Sequence, residues 1–242
     1  MNKKILKIFM CFCIAFIMLA LTANKSNFVR AADDDYIAEV NGTKYKELLS
    51  AYAGVKAGGT LKLLKDISDI GGLSIRQNFD YTIDLNGKVM DHGSMRTAYV
   101  GTGTLTITDS SAEKSGKITG TRNPVYLTGG KSLILEGGTI EKTGEGGDGS
   151  NHYGSAIYNE STGSITISGG EIKVSNASDS NMNYYGIYNK STGSVFLTGG
   201  QISVTACGLS GNKYYGIYNS SSGSVSLSGG KVNSAEYAVY YE

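Results

Sequence analysis

Tyrosines at a fixed interval are the residues of this chain best placed to make a surface with chemistry. Ile157-Tyr158-Asn159, Ile187-Tyr188-Asn189 and Ile217-Tyr218-Asn219 repeat one phrase thirty residues apart, and alignment on the tyrosine extends the series to Tyr99, Tyr126 and Tyr240. In a β-strand the side chains alternate, so if Ile187 points inward Tyr188 points outward. Copies stacked one strand apart would then form a column. A tyrosine offers an apolar body and a polar tip, which suits a platform for sugar rings or a partner protein. The competing explanation is purely structural, because cross-strand aromatic pairs stabilise stacked sheets by roughly 0.2–1 kcal/mol each. The structural explanation is weighted ahead of the binding one.

Catalytic constellations are harder to assemble. A polysaccharide lyase needs a base beside acids that hold calcium, and a β-helical hydrolase needs clustered carboxylates. The acids here, Asp84, Asp91, Asp109, Glu136, Glu141 and Glu171, are scattered. Asp84 with Asp91, His92 and Arg96 makes the densest mixed patch, followed by Asp109 with Glu113, and charges on a solvated face account for both. No catalytic residue is assigned. His152 has no second His or Cys at ligand spacing, and the calcium-like Gly144-Glu145-Gly146-Gly147-Asp148-Gly149 loop occurs once, so neither a metal nor a cofactor is expected. Cys207 reads as a small packed residue with no paired base. Asn159, Asn189 and Asn219 read as a ladder whose amides bond the backbone and one another. The triplets beginning at Asn41, Asn159, Asn176, Asn189 and Asn219 fit the N-glycosylation pattern but read as turn chemistry.

These residues need elements to position them. Residues 1–31 read as a secretory signal: Lys3, Lys4 and Lys7 precede an apolar stretch from Ile8 to Leu21, too short for the ~20 residues of a membrane span, with cleavage expected after Ala31. Removing them takes Lys+Arg from 22 to 17 against 21 acids, turning a formal +1 into −4. That charge excludes a basic nucleic-acid footprint. Cys11 and Cys13 leave too, so Cys207 would be alone and no disulfide framework is expected. Residues 32–59 read as an N-terminal cap. Tyr36–Val40 alternates as a strand, Asn41-Gly42 signals a hairpin, and Tyr45–Ala57 takes a helical rhythm with Leu48, Leu49, Tyr52 and Ala53 on its apolar stripe.

From residue 60 to 242 the period is two, with short apolar runs broken by Gly, Asp or Asn. Leu133, Ile165, Val195 and Val225 lie seven residues after Tyr126, Tyr158, Tyr188 and Tyr218, and the pairs Gly169-Gly170, Gly199-Gly200 and Gly229-Gly230 turn the chain. Each unit is thus three short strands and three turns. Such a unit cannot bury its apolar side alone and must stack on copies of itself. The expected fold is all-β: a single-stranded right-handed parallel β-helix of about seven coils, with variable insertions at one corner (Gly144–Tyr153, Asn176–Tyr185, Cys207–Tyr215).

Val40-Asn41-Gly42-Thr43-Lys44-Tyr45, the run from Gly59 to Ile67, and Thr82-Ile83-Asp84-Leu85-Asn86-Gly87-Lys88 resemble repeats of secreted Gram-positive surface proteins with a pectin-lyase-like β-helix. The resemblance spans nearly the whole chain after the leader and rests on turn and core residues. It implies an extracellular or loosely wall-associated, adhesin-like protein. The leading expectation is a non-enzymatic binding or structural protein presenting its surface to carbohydrate or a cell-surface protein. Alternatives are a polysaccharide lyase or glycoside hydrolase of that architecture, and a passive stalk or fragment of a larger surface protein. No transmembrane anchor is expected after signal cleavage, and the final coil is expected to lack a cap and to offer an edge for end-to-end self-association.

Overall fold

A computed structural model describes residues 35–144, 154–175, 182–205 and 211–242. The expected leader, His152, Cys207 and residues 145–153, 176–181 and 206–210 around the insertions lie outside them. The unit Tyr36–Glu242 is a parallel β-solenoid. Among the described residues, three sheets hold nine, seven and six strands, and the chain visits them in turn, the first coil meeting the six-stranded sheet only through the Ile67–Met90 bridge. The seven-stranded sheet counts the coils, in agreement with the number read from the repeats.

Alternation of short apolar runs places one residue type above another along the axis. In the first sheet Leu61, Ile83, Ile107, Leu135, Ile167, Leu197 and Leu227 are successive register partners. In the second, Met90, Ile118, Ile140, Ile172, Ile202 and Val232 align in the same way. These columns meet in one continuous core, and most of their members are fully buried. Within these columns burial fails at the last coil, where Leu227 is 50% exposed.

Close stacking also dictates the corners. Gly170, Gly200 and Gly230 adopt φ of +67°, +68° and +70°. A Cβ there would lie 2.5–2.6 Å from a carbonyl of the preceding coil, so both the backbone angle and the contact require glycine.

The N-terminal end is covered. Strand β1 (Ala38–Val40) turns through Asn41 and Gly42, both at positive φ, into the antiparallel β2 (Thr43–Tyr45). On its other edge β1 pairs antiparallel with β3 (Thr60–Leu63), the first strand of the solenoid. Helix α1 (Leu48–Gly54) is shorter than its sequence rhythm predicts and turns a different side to the core. Leu48, Ala51 and Tyr52 are buried, whereas Leu49 and Ala53 are exposed. Among the described residues no helix is long and apolar enough to cross a membrane.

Candidate functional site

The tyrosines lie on the third sheet, whose strands include Val125–Gly129, Ser155–Ser161, Tyr184–Asn189, Tyr214–Asn219 and Tyr237–Tyr241. Tyr126, Tyr158, Tyr188, Tyr218 and Tyr240 are consecutive register partners. Their neighbouring ring centroids are 5.6, 5.3, 4.9 and 5.3 Å apart from the first pair to the last. From Tyr126 to Tyr218 each tyrosine is flanked by buried inward residues, as Tyr188 is by Ile187 and Asn189.

Tyr99 does not belong to this column. The partner of Tyr126 in the preceding coil is Ala98, and Tyr99 pairs with Leu127 on the inward side. Tyr99 is fully buried, and burial pushes its hydroxyl up to about 12. The spacing carried the signal: Leu105 lies seven residues after Ala98 and only six after Tyr99, while the interval is seven in the other coils. One residue of slip exchanges the two sides of a strand.

A second column runs beside the first. Tyr185, Tyr215 and Tyr237 are register partners with nearly parallel rings 5.2 and 5.1 Å apart. Their edges meet the faces of the first column, with Tyr185–Tyr188 at 4.8 Å, Tyr215–Tyr218 at 5.0 Å and Tyr237–Tyr240 at 5.5 Å. Gly186 and Gly216 lie between the second-column and first-column tyrosines of their strands, and a Cβ on either would strike Ile202 or Val232 of the second sheet, respectively. Sequence reasoning passed over this second column, although Tyr-Tyr-Gly-Ile-Tyr-Asn occurs twice, thirty residues apart.

Interlocking makes the array largely its own shield. Tyr158 and Tyr185 are buried, Tyr126, Tyr188 and Tyr218 are half-buried, and Tyr237 and Tyr240 are exposed. Burial raises the hydroxyls of Tyr158, Tyr185 and Tyr218, and Glu160 adds to the shift at Tyr158. They therefore remain neutral phenols around pH 7, able to donate hydrogen bonds but unsuited to act as bases. Tyr126 and Tyr158 both donate to the Glu160 carboxylate, and Lys190 pairs with it at 3.2 Å. Burial opposes ionisation of Glu160, but these donors outweigh it and hold its pKa below the ordinary value.

Behind the tyrosines runs the asparagine ladder. Asn159 Nδ2 donates to Asn189 Oδ1 at 2.7 Å, and Asn189 Nδ2 donates to Asn219 Oδ1 at 2.6 Å. Gly193 and Gly223 carbonyls accept further bonds from Asn189 and Asn219. All three amides are fully buried and engaged within the fold.

The mixed acidic patch separates in three dimensions. Asp84 lies in the first sheet and accepts from the Asn86 and Ser110 N–H groups. Asp91 lies in the second and accepts from Gly93 N–H and the Thr119 hydroxyl. His92 is buried with neither ring nitrogen hydrogen-bonded, and burial lowers its pKa to about 4 against weaker opposing effects of the Pro124 carbonyl and Asp91. Asp109 accepts backbone N–H bonds from Gly87, Ser111 and Gly116. These carboxylates organise turns. Arg96 instead reaches the tyrosine face, its guanidinium carbon 4.3 Å from the centroid of Tyr126.

Two buried lysines gave no sequence signal. Lys131 Nζ donates to the carbonyls of Gln77 and Thr102, and Lys142 Nζ to those of Thr121 and Gly144. Each also lies near a tyrosine ring, Tyr81 and Tyr184 respectively. Their aliphatic stems fill core while the cations close off carbonyls at the corners.

Fold and face together define a single-stranded parallel β-solenoid with one tyrosine-paved sheet. Comparison with family profiles, curated proteins and solved structures gives no match.

Proposed function

We propose that this is a secreted or cell-surface β-solenoid of adhesin-like type, which uses the tyrosine-paved sheet to bind carbohydrate or a protein partner. One observation carries the reading: five outward tyrosines in consecutive register span five coils of a rigid sheet, with half-buried or exposed rings at Tyr126, Tyr188, Tyr218 and Tyr240. A contact surface built on paired strands loses little freedom when a ligand arrives, which favours affinity. Neutral phenols add donors and acceptors beside flat apolar rings, the combination that sugar rings and protein interfaces use. The apolar leader supports export.

A glycan array and a screen against extracellular proteins test the proposal. Replacing Tyr188 and Tyr218 together by leucine, which keeps apolar bulk, should weaken a detected interaction at least about tenfold, or ~1.4 kcal/mol. Unchanged binding by that variant would remove the tyrosine face from the account.

A further inference from the structure

Glu160 stands near one end of a continuous path of aromatic contacts. Its two carboxylate oxygens accept from different phenols, Oε2 from Tyr126 and Oε1 from Tyr158 at 3.1 Å. These donors and Lys190 keep the carboxylate ionised around neutral pH. From Tyr158 the rings run through Tyr188 and Tyr218 to Tyr240, with centroids 5.3, 4.9 and 5.3 Å apart in that order. Tyr185, Tyr215 and Tyr237 lie edge-on against the last three of these rings. Tyr158 is buried, whereas Tyr237 and Tyr240 at the far end are exposed. The path therefore joins a shielded phenol that already has a base to phenols open to solvent.

A phenol gives up an electron at moderate cost only when its proton leaves in the same step, because oxidation of the ring makes the O–H strongly acidic. A carboxylate already hydrogen-bonded to that O–H is the positioned base the step requires. Two phenols meet this condition, and they are not equivalent. The Arg96 guanidinium carbon lies 4.3 Å from the Tyr126 centroid, and a permanent cation against a ring opposes the loss of an electron from it. Tyr158 is the easier of the two to oxidise, and its burial keeps a second radical away from it. The chain contains no tryptophan, the aromatic side chain that would otherwise compete for the charge.

We infer that the tyrosine array is a radical sink, in which a one-electron oxidant of the peroxyl class is reduced at the exposed end and the unpaired electron settles on Tyr158. One electron passes from Tyr158 through the rings of Tyr188, Tyr218 and Tyr240 to the peroxyl radical, which takes a proton from water and becomes a hydroperoxide. The Tyr158 O–H bond breaks and its proton moves to Glu160, leaving a neutral tyrosyl radical and a carboxylic acid. Release of that proton to the hydroxide left in solvent restores water and the carboxylate. The activity goes beyond the proposed binding role and does not depend on it.

Pulse-generated trichloromethylperoxyl radicals test the sink on the full chain, with its cysteines replaced by serine throughout so that no thiol competes. Transient absorbance follows the tyrosyl radical, and fluorescence follows dityrosine. The tyrosyl signal should outlast that of the Tyr158→Phe variant at least about tenfold. Glu160→Gln removes the base and should slow formation of the lasting signal about a hundredfold. Tyr188→Phe keeps the ring and its packing but loses the oxidisable phenol, and should slow formation at least about tenfold. A signal that decays as quickly in the parent chain as in Tyr158→Phe would overturn the sink, as would formation unmoved by Glu160→Gln or by Tyr188→Phe. Dityrosine at Tyr237 or Tyr240 in place of a lasting radical would also overturn it, since the unpaired electron would then remain at the exposed end. No ligand enters the assay, so failure here leaves the binding role standing, and failure of a glycan or protein screen leaves the sink standing.

Discussion

Along one inward column of the third sheet, the early coils carry Ile75, Tyr99 and Leu127, and the later coils carry Asn159, Asn189 and Asn219. The outward column beside it changes at nearly the same place, from Ser74 and Ala98 to an unbroken run of tyrosines. Corners change as well. Asp66, Asp80, Asp84 and Asp109 accept backbone N–H bonds in the early coils, whereas Gly-Gly pairs and the asparagine ladder turn the later ones. The early half therefore fits each coil individually to its neighbour, using apolar side chains inside and carboxylates at the turns. The later half uses one solution repeatedly, so that successive amides bond and successive rings stack on copies of themselves. A repeated solution couples neighbouring coils strongly and makes each copy depend on the next.

The comparison breaks most sharply at Asn189. Its amide accepts from Asn159 and donates to Asn219 and to the Gly193 carbonyl in a fully buried setting. Asn189→Leu matches the apolar character of Leu127 in the early half, yet it strands the Asn159 amide N–H and the Gly193 carbonyl and leaves Asn219 Oδ1 only the Ser221 hydroxyl. Each unsatisfied group costs about 1–3 kcal/mol, so a loss of about 3 kcal/mol or more is expected. Urea unfolding reads it as a lowered midpoint, and hydrogen exchange should place the loosening in the later coils. A change below about 1 kcal/mol would mean that the ladder adds little to stacking.

Acid should loosen the other half. His92 has a folded pKa of about 4 against an ordinary 6.5, because burial disfavours the imidazolium. A depressed folded pKa means that the unfolded chain binds a proton the native state refuses. The contribution is therefore fully present above pH 6.5 and is lost as the pH falls through 4. The shift corresponds to about 3 kcal/mol across that window. His92→Leu should flatten this part of the stability profile, and exchange in wild type should rise first around the early coils. A profile of the same slope in the variant would assign the acid sensitivity to the carboxylate turns instead.

The difference between the halves also decided what could be read from sequence. Where a unit recurs every thirty residues, its alignment supplies register, facing and turns together, and the columns through Tyr158, Tyr188 and Tyr218 follow directly. In the early coils the interval drifts, and aligning on the residue type placed Tyr99 outward when the interval itself indicated Ala98. Helix α1 was visible as a rhythm, but Leu49 is exposed because only the packing against the solenoid end decides which side of so short a helix is inward. Lys131 and Lys142 were illegible for a different reason. A lysine carries no mark of burial until the three-dimensional path brings carbonyls such as those of Gln77 and Thr102 around its ammonium.

The smallest expected effect is the one that most directly measures how self-reliant the later half is. Tyr188 contacts the rings of Tyr158, Tyr185 and Tyr218, whereas the ring of Tyr126 at the column's end stacks on Tyr158 and receives Arg96 on it. Aromatic pairs contribute about 0.5–1.5 kcal/mol beyond area burial, and leucine retains much of that area. Tyr188→Leu should therefore cost about 1 kcal/mol. A double-mutant cycle with Tyr218→Leu should show a coupling of about 0.5 kcal/mol or more, since the two rings meet at 4.9 Å. Because Tyr185 also touches both Tyr188 and Tyr218, the coupling should fall when Tyr185 is replaced by leucine in every corner of the cycle. Strict additivity would instead describe the tyrosines as independent covers on each coil, and the later half would owe its cohesion to the asparagine ladder and the core columns alone.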